Sequence, residues 1–373
     1  MKTSLSKSRY TLALSAIAVA ALVSACGGDH DEIRPDSQIY SETNAVANSI
    51  VHMSAIGDGS LVVRNAVSTG GAGTNTGPDP LSSQYSVIVT PDHSTLFAVN
   101  GGDNSVSVFA IDRFNGNLAL LSSNPTTGML PVSLAFRQGI LYVLFQGSQT
   151  IQAYPLNGAV LGASLGSYPI ANAVGKPTEI TLSPDGRYLL VNAGTGANAV
   201  DAYPINPDGT LGAVVANGNG IPSPFASVFL NGSTLLVTNA GGHSLQSLAF
   251  NQGLLTPNGA PVVGDVQGAP CWLVITPDGR YAYTGDGGSG TINSYLVNSD
   301  GTLTLLNARA ASENIAVAGD SWISPTGKFL YTAYLAAGVV ISYAIGPDGS
   351  LTKVGGPATV SSGNTMQGLA GFS

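Results

Sequence analysis

Short apolar runs return along this chain at a near-constant interval, each closed by a turn. In residues 179–214 an apolar run ends at Pro184-Asp185-Gly186, and a second run follows at Tyr188–Asn192. A Gly/Asn-rich loop, a third run and a second turn, Pro207-Asp208-Gly209, come next, and a last run completes the unit. Pro presets φ at such a turn and Gly accepts a positive φ. Apolar and polar residues alternate in the third runs, as at Val106, Val108, Phe109 and Ile111, which marks strands with one face toward a core. The same order is plain in residues 87–121, 272–306 and 322–354, and weaker in 132–161 and 226–255. The turn positions Pro91, Arg137, Pro184, Asn231, Pro277 and Pro325 stand 46 to 48 residues apart. Four short strands per unit at this period predict an all-β protein made of propeller blades.

The two ends of the chain supply complementary fragments. One period ahead of Pro91, residues 38–44 read as a second strand and 49–56 as a third, with a turn at Gly57-Asp58-Gly59. One period beyond Pro325, Gln367–Phe372 reads as a first strand with nothing after it. Six complete blades and one composite blade predict a seven-bladed β-propeller closed through both ends. Closure pairs strands that would otherwise be open edges. An open stack of sheets or a two-sheet sandwich leaves the complementary halves unexplained.

Composition sharpens this picture. Only 9% of residues are charged and 44% are hydrophobic, and the apolar residues fall in blocks that a core can use, so disorder is excluded. At the amino terminus a basic flank (Lys2, Lys7, Arg9) precedes an apolar run over 12–23, then Ser24, Ala25 and Cys26. That pattern predicts a secretory signal over 1–25, too short to span a bilayer. The stretch Val23-Ser24-Ala25-Cys26 resembles the bacterial lipobox, which implies cleavage before Cys26 and lipidation of its thiol. Residues 26–37 then read as a polar tether and 38–373 as the propeller. Removal of the signal leaves 10 basic against 21 acidic residues, a balance that argues against nucleic-acid binding. With Cys26 lipidated, Cys271 has no intramolecular partner, and stability rests on packing.

Strand order puts the Pro-Asp-Gly turns on one rim of the ring and the Gly-rich loops on the other. The loop-rich rim is the expected functional face. It is expected to hold Asp103, His243 and Asp286 from the loops, and Glu179, Cys271, Trp272, Glu313 and Trp322 from the entries to first strands. Asp286 or Glu179 are candidate general bases, with His243 assisting. Trp272, Trp322, Asp103 and Cys271 are candidate ligand-binding residues. Each also has a structural explanation: Asp caps Gly-rich turns, Trp fills a core, His243 is a solvated loop residue, and a buried Cys is a small hydrophobe. His30, His52, His93 and His243 lie in unrelated contexts without metal-ligand spacing, so no metal is expected. No P-loop or G-x-S-x-G elbow is present, and no cofactor is expected. The Asn206-Pro207-Asp208-Gly209 and Asn298-Ser299-Asp300-Gly301 segments read as strand turns and not as calcium loops.

The stretch Leu235-Leu236-Val237-Thr238-Asn239-Ala240-Gly241-Gly242 resembles the YVTN signature, and the units from about residue 38 onward resemble the lactonase-like seven-bladed propellers. That family includes 6-phosphogluconolactonases and cycloisomerase-type members. The resemblance implies a Pro-Arg-His segment followed by Asn-Glu in one blade. This chain has Pro270-Cys271-Trp272 and Gly285-Asp286-Gly287 there. In another blade the family's Pro-His is replaced by Pro177-Thr178-Glu179, and its following Asp by Asn192-Ala193. A phosphorylated lactone needs Arg or Lys, and Lys176 is the basic residue expected near the loop-rich mouth. These departures favour a monomeric binding or scaffold module at the cell envelope, for a small polar ligand or an envelope protein. The alternative is a hydrolase of an uncharged lactone or sugar acid with a carboxylate base. Contact with the membrane is expected through the lipid alone; Gly27 after Cys26, rather than Asp, resembles lipoproteins sent to the outer membrane of Gram-negative cells, and the resemblance implies that location.

Overall fold

Antiparallel ladders arrange the apolar runs of the described residues into seven sheets. The computed structural model describes residues 37–171, 175–194, 196–218 and 220–373. Cys26, the signal and most of the tether lie outside the described residues. The first sheet has the predicted composite order: Gln367–Phe372, Ser37–Glu42, Ser49–Ala55, Leu61–Ser68. Gln38 pairs with Phe372 and Tyr40 with Ala370. Blades two to seven follow in chain order over 87–125, 131–169, 179–215, 224–263, 270–312 and 318–359. The third and fifth blades split their outer strand in two, and the fourth replaces it with bridges at Ala202↔Val215 and Ile205↔Leu211.

Burial explains why inner and outer strands read differently in sequence. The second strand of blade two, Thr95–Asn100, is buried over Leu96–Asn100 because both its faces meet neighbouring sheets, whereas the outer strand Leu118–Pro125 is largely exposed. The core therefore sits between adjacent sheets. Tyr40 and Ile50 of the composite blade, for example, pack with Val87, Leu96 and Phe109 of blade two.

The turns use their Asp residues in one repeated way. Asp208 Oδ1 accepts hydrogen bonds from the amide (3.0 Å) and hydroxyl (2.6 Å) of Thr210, and Asp300 does the same for Thr302. Asp92, Asp185 and Asp278 accept from Thr90, Ser183 and Thr276. These bonds hold the turn carboxyls below their ordinary range, at about 2 for Asp92 and Asp185.

Closure makes a prediction. Deleting residues 367–373 removes Leu369, Ala370 and Phe372 from the core and leaves Ser37–Glu42 as an open inner edge. A loss of several kcal/mol should lower Tm by about 10 °C or more. Scanning calorimetry checks this; an unchanged Tm would mean the ring holds without its closing strand.

Candidate functional site

Inner strands run from the loop-rich rim to the turn-rich rim, so distance from the turn sets depth in the channel. Glu179, Trp272 and Asp320 each stand five residues ahead of their turn prolines, Pro184, Pro277 and Pro325. Glu179 and Asp320 are buried near the loop-rich end. Glu42 joins them from the composite blade, where it pairs with Gln367. Asp79 comes from the long link between Leu61–Ser68 and Val87–Val89.

Few donors meet these carboxyls. Ser227 N donates to Glu179 Oε2 (2.7 Å), Asn48 Nδ2 to Glu42 Oε2 (3.0 Å) and Ser82 Oγ to Asp79 Oδ2 (3.2 Å). Among the described residues the second oxygens, Glu179 Oε1, Glu42 Oε1 and Asp79 Oδ1, are shielded from solvent and have no partner within hydrogen-bond distance, and neither has Gln367 Oε1; the side chains of Ser86 and Gln367 stand close enough to Glu42 and Asp79 to favour their charged forms in part. Asp320 takes the amides of Tyr85 and Gly368, and Gln367 Nε2 reaches its Oδ2 at 3.4 Å. Burial disfavours the charged form of each. It raises Asp320 and Glu42 to about 8 and Asp79 to about 6, and pushes Glu179 well above its ordinary range; Asp79 and Asp320 also oppose each other's ionisation. Asp79 is partly exposed as a residue, unlike the other three. Among the described residues no three His, Cys, Asp or Glu side chains are grouped to hold a metal ion.

Residues 81–86 cross the channel beside this cluster. Gln84 bonds Leu273 twice, through Nε2 to its carbonyl (3.2 Å) and through Oε1 to its amide (2.9 Å). Trp272 Nε1 donates to Ser83 O (2.9 Å), and Ser83 Oγ donates to Val132 O (2.8 Å). The amide of Gln84 reaches Thr178 O, and Tyr85 O accepts from Leu134. The link thus ties together blades on opposite sides of the ring.

The sequence candidates separate. Glu179 belongs to the carboxyl cluster. Asp286 and His243 meet instead at Gly268: His243 Nδ1 contacts its carbonyl oxygen, and a Cβ at 268 would stand 2.4 Å from Asp286 Oδ2. Asp286 is buried, accepts from Thr291 (2.7 Å) and Asn293 (3.0 Å), and is raised by burial to about 7. Asp103 caps its turn, accepting from Ser105 Oγ and from the amide of Ala72. Cys271 is buried, and burial raises its thiol. Trp272 is 1% exposed, with its indole N–H engaged by Ser83. Trp322 does not sit at the loop-rich rim as expected. Its strand starts four residues earlier, at Ala318, and Trp322 stands just ahead of the Ser324-Pro325 turn, at the opposite end of the channel. Asp79, Asp320 and Glu42 were missed by sequence reading. Counting back from the turn prolines finds Asp320 beside Glu179; nothing local marks Asp79 or Glu42.

A family model described as "Lactonase, 7-bladed beta-propeller" matches residues 12–160 and 234–364. No curated protein is significantly similar in sequence. Solved structures share the fold. A candidate 6-phosphogluconolactonase from Bacteroides fragilis has a TM-score of 0.72 at 19% identity, covering 90% of this chain and 97% of its own. One from Bacteroides uniformis gives 0.75 at 19%, covering 89% and 98%. The periplasmic gluconolactonase of Pseudomonas aeruginosa gives 0.74 at 20%, also covering 89% and 98%.

The raised carboxyls set a pH dependence of stability. A carboxyl whose folded pKa lies above its unfolded value of about 4 stabilises the fold below that value and loses this contribution as pH rises through the folded pKa. Asp79, Asp286, Glu42 and Asp320 should therefore cost stability between about pH 4 and pH 8. The turn carboxylates act oppositely below about pH 4, and His52, held by burial to about 4, acts oppositely between about 4 and 6.5. Tm should peak near about pH 5 and fall toward pH 9, and Glu42→Gln should flatten the alkaline fall. Thermal melts across pH check this; a Tm that rises from pH 6 to 9 would contradict the burial of these acids.

Proposed function

The chain belongs to the lactonase family of seven-bladed β-propellers, and from that membership we propose that it hydrolyses an uncharged lactone at the loop-rich end of the channel. The carrying observation is the group of buried carboxyls with unpartnered oxygens, Glu179 Oε1, Glu42 Oε1 and Asp79 Oδ1. Such acceptors suit a ligand rich in hydroxyl donors. Asp79, raised to about 6, is ionised at neutral pH and serves as the general base; Asp320, raised to about 8, is protonated and serves as the general acid. Water adds to the acyl carbon as Asp79 takes its proton. The ring C–O bond then breaks, the ring oxygen takes a proton from Asp320, and a hydroxy acid leaves. Glu179 accepts a hydroxyl of the bound ring.

The same cluster argues against a phosphorylated lactone. A dianion would face four carboxyls, with Lys176 the cation that acts on Asp79. Glucono-1,5-lactone should therefore be opened at least about tenfold more efficiently than its 6-phosphate ester, one factor of ten being about 1.4 kcal/mol. Asp79→Asn and Asp320→Asn should each lower kcat about 100-fold or more. The rate should rise through about pH 6 as Asp79 ionises and fall through about pH 8 as Asp320 does. Hydrolysis by wild type no faster than the uncatalysed background on five- and six-membered neutral lactones would overturn this reading.

The crossing of the channel by residues 81–86 favours a second reading, a binding module for a small polar ligand or an envelope protein, which the same assay separates. The lipobox-like segment before Cys26 supports a position at the cell envelope for either activity. Cys26→Ala should abolish labelling by a palmitate analogue and release the protein from membranes; unchanged labelling would remove Cys26 as the anchor.

A further inference from the structure

The turn-rich end of the channel is built from different chemistry. The later residues of several inner strands enclose a cavity of about 340 Å³ there. Ile88, Val89, Val274, Ile275, Trp322 and Ile323 supply much of its wall, and Tyr85 and Ser321 supply polar groups. Among the described residues that line it, none is an Asp, Glu, Lys, Arg or His. The volume falls at the lower end of small-molecule pockets, about 300–1,000 Å³.

Two features show a shaped cavity. Trp322 is held in place: its ring stacks on Tyr331 at 5.9 Å and 27°, and it lies against Gly371, where a Cβ would stand 2.9 Å from Trp322 Cδ2. Only glycine at 371 lets the indole lie there. Tyr85 has φ 67°, a left-handed conformation costly for a bulky side chain. Its amide is taken by Asp320 and its carbonyl by Leu134, which keep the residue in that conformation at the end of the crossing segment. Such strain persists where surrounding contacts over-determine it, often at a ligand clamp.

Charge selects the occupant. An anion meets a protein of formal net charge −8 and a lining without a cation; a cation meets a lining without a carboxylate. Burying either unpaired is costly. We propose that this chamber is a second binding site, for an uncharged, mainly apolar molecule of one or two rings that enters from the Pro-Asp-Gly rim, packs on Trp322 and is stopped by Tyr85. It does not depend on the hydrolytic reading.

Isothermal titration with 2-naphthol tests it, because binding is read without turnover. Saturable one-to-one binding is expected in wild type. Trp322→Ala should weaken it at least tenfold, and Trp322→Phe, which keeps a ring, by less. Val274→Trp should fill the chamber and abolish binding. On wild type, 2-naphthalenesulfonate should bind at least tenfold more weakly than 2-naphthol, a comparison that needs no variant to fold. Absence of saturable binding up to the solubility of 2-naphthol, equal affinity for the sulfonate, or undiminished affinity in folded Trp322→Ala and Val274→Trp would each overturn the proposal.

Discussion

Ser41 Oγ donates to the carbonyl oxygens of Gln367 and Gly368, and Tyr40 pairs with Ala370, so the two ends of the described chain meet inside one sheet. Every other sheet is built from a continuous segment. This pairing places Glu42 opposite Gln367, and through Gln367 near Asp320 and Ser83. Without it the composite blade would present two open inner edges, and the carboxyls of the channel would lose their common wall.

Those carboxyls stand out in a chain with only 9% charged residues. Most Asp side chains in the turns are solvated and bonded to the hydroxyl two residues away, which favours ionisation. Glu42, Glu179 and Asp320 are withdrawn from water with few donors, which favours the neutral acid. One residue type thus does opposite electrostatic work at two depths of the same blades. Perturbed acids of this kind concentrate where proton transfer is needed.

The channel has two unlike halves. Acids, Gln367 and the crossing segment occupy the loop-rich half, while Val, Ile and Trp322 line the turn-rich half. Tyr85 touches both: it lines the apolar chamber and gives its amide to Asp320. Relatives at 19–20% identity share the propeller, but a shared fold does not carry chemistry, which depends on these particular side chains.

Blade number, the composite blade and the turn role of Asp208 and Asp300 were legible in the sequence because each rests on local chemistry: a turn fixes where a strand ends, and a constant spacing between turns fixes the repeat. Glu179 could be picked out for the same reason, by its place ahead of Pro184. The end of the channel at which Trp322 sits required counting back from Pro325 instead of forward from an assumed strand start. The meeting of Glu42, Asp79, Glu179 and Asp320, and the passage of residues 81–86 between blades, belonged to the tertiary structure alone. These residues come from separate parts of the ring, and only its closure brings them together; no short-range pattern records a contact whose partners are set by the sum of seven sheets.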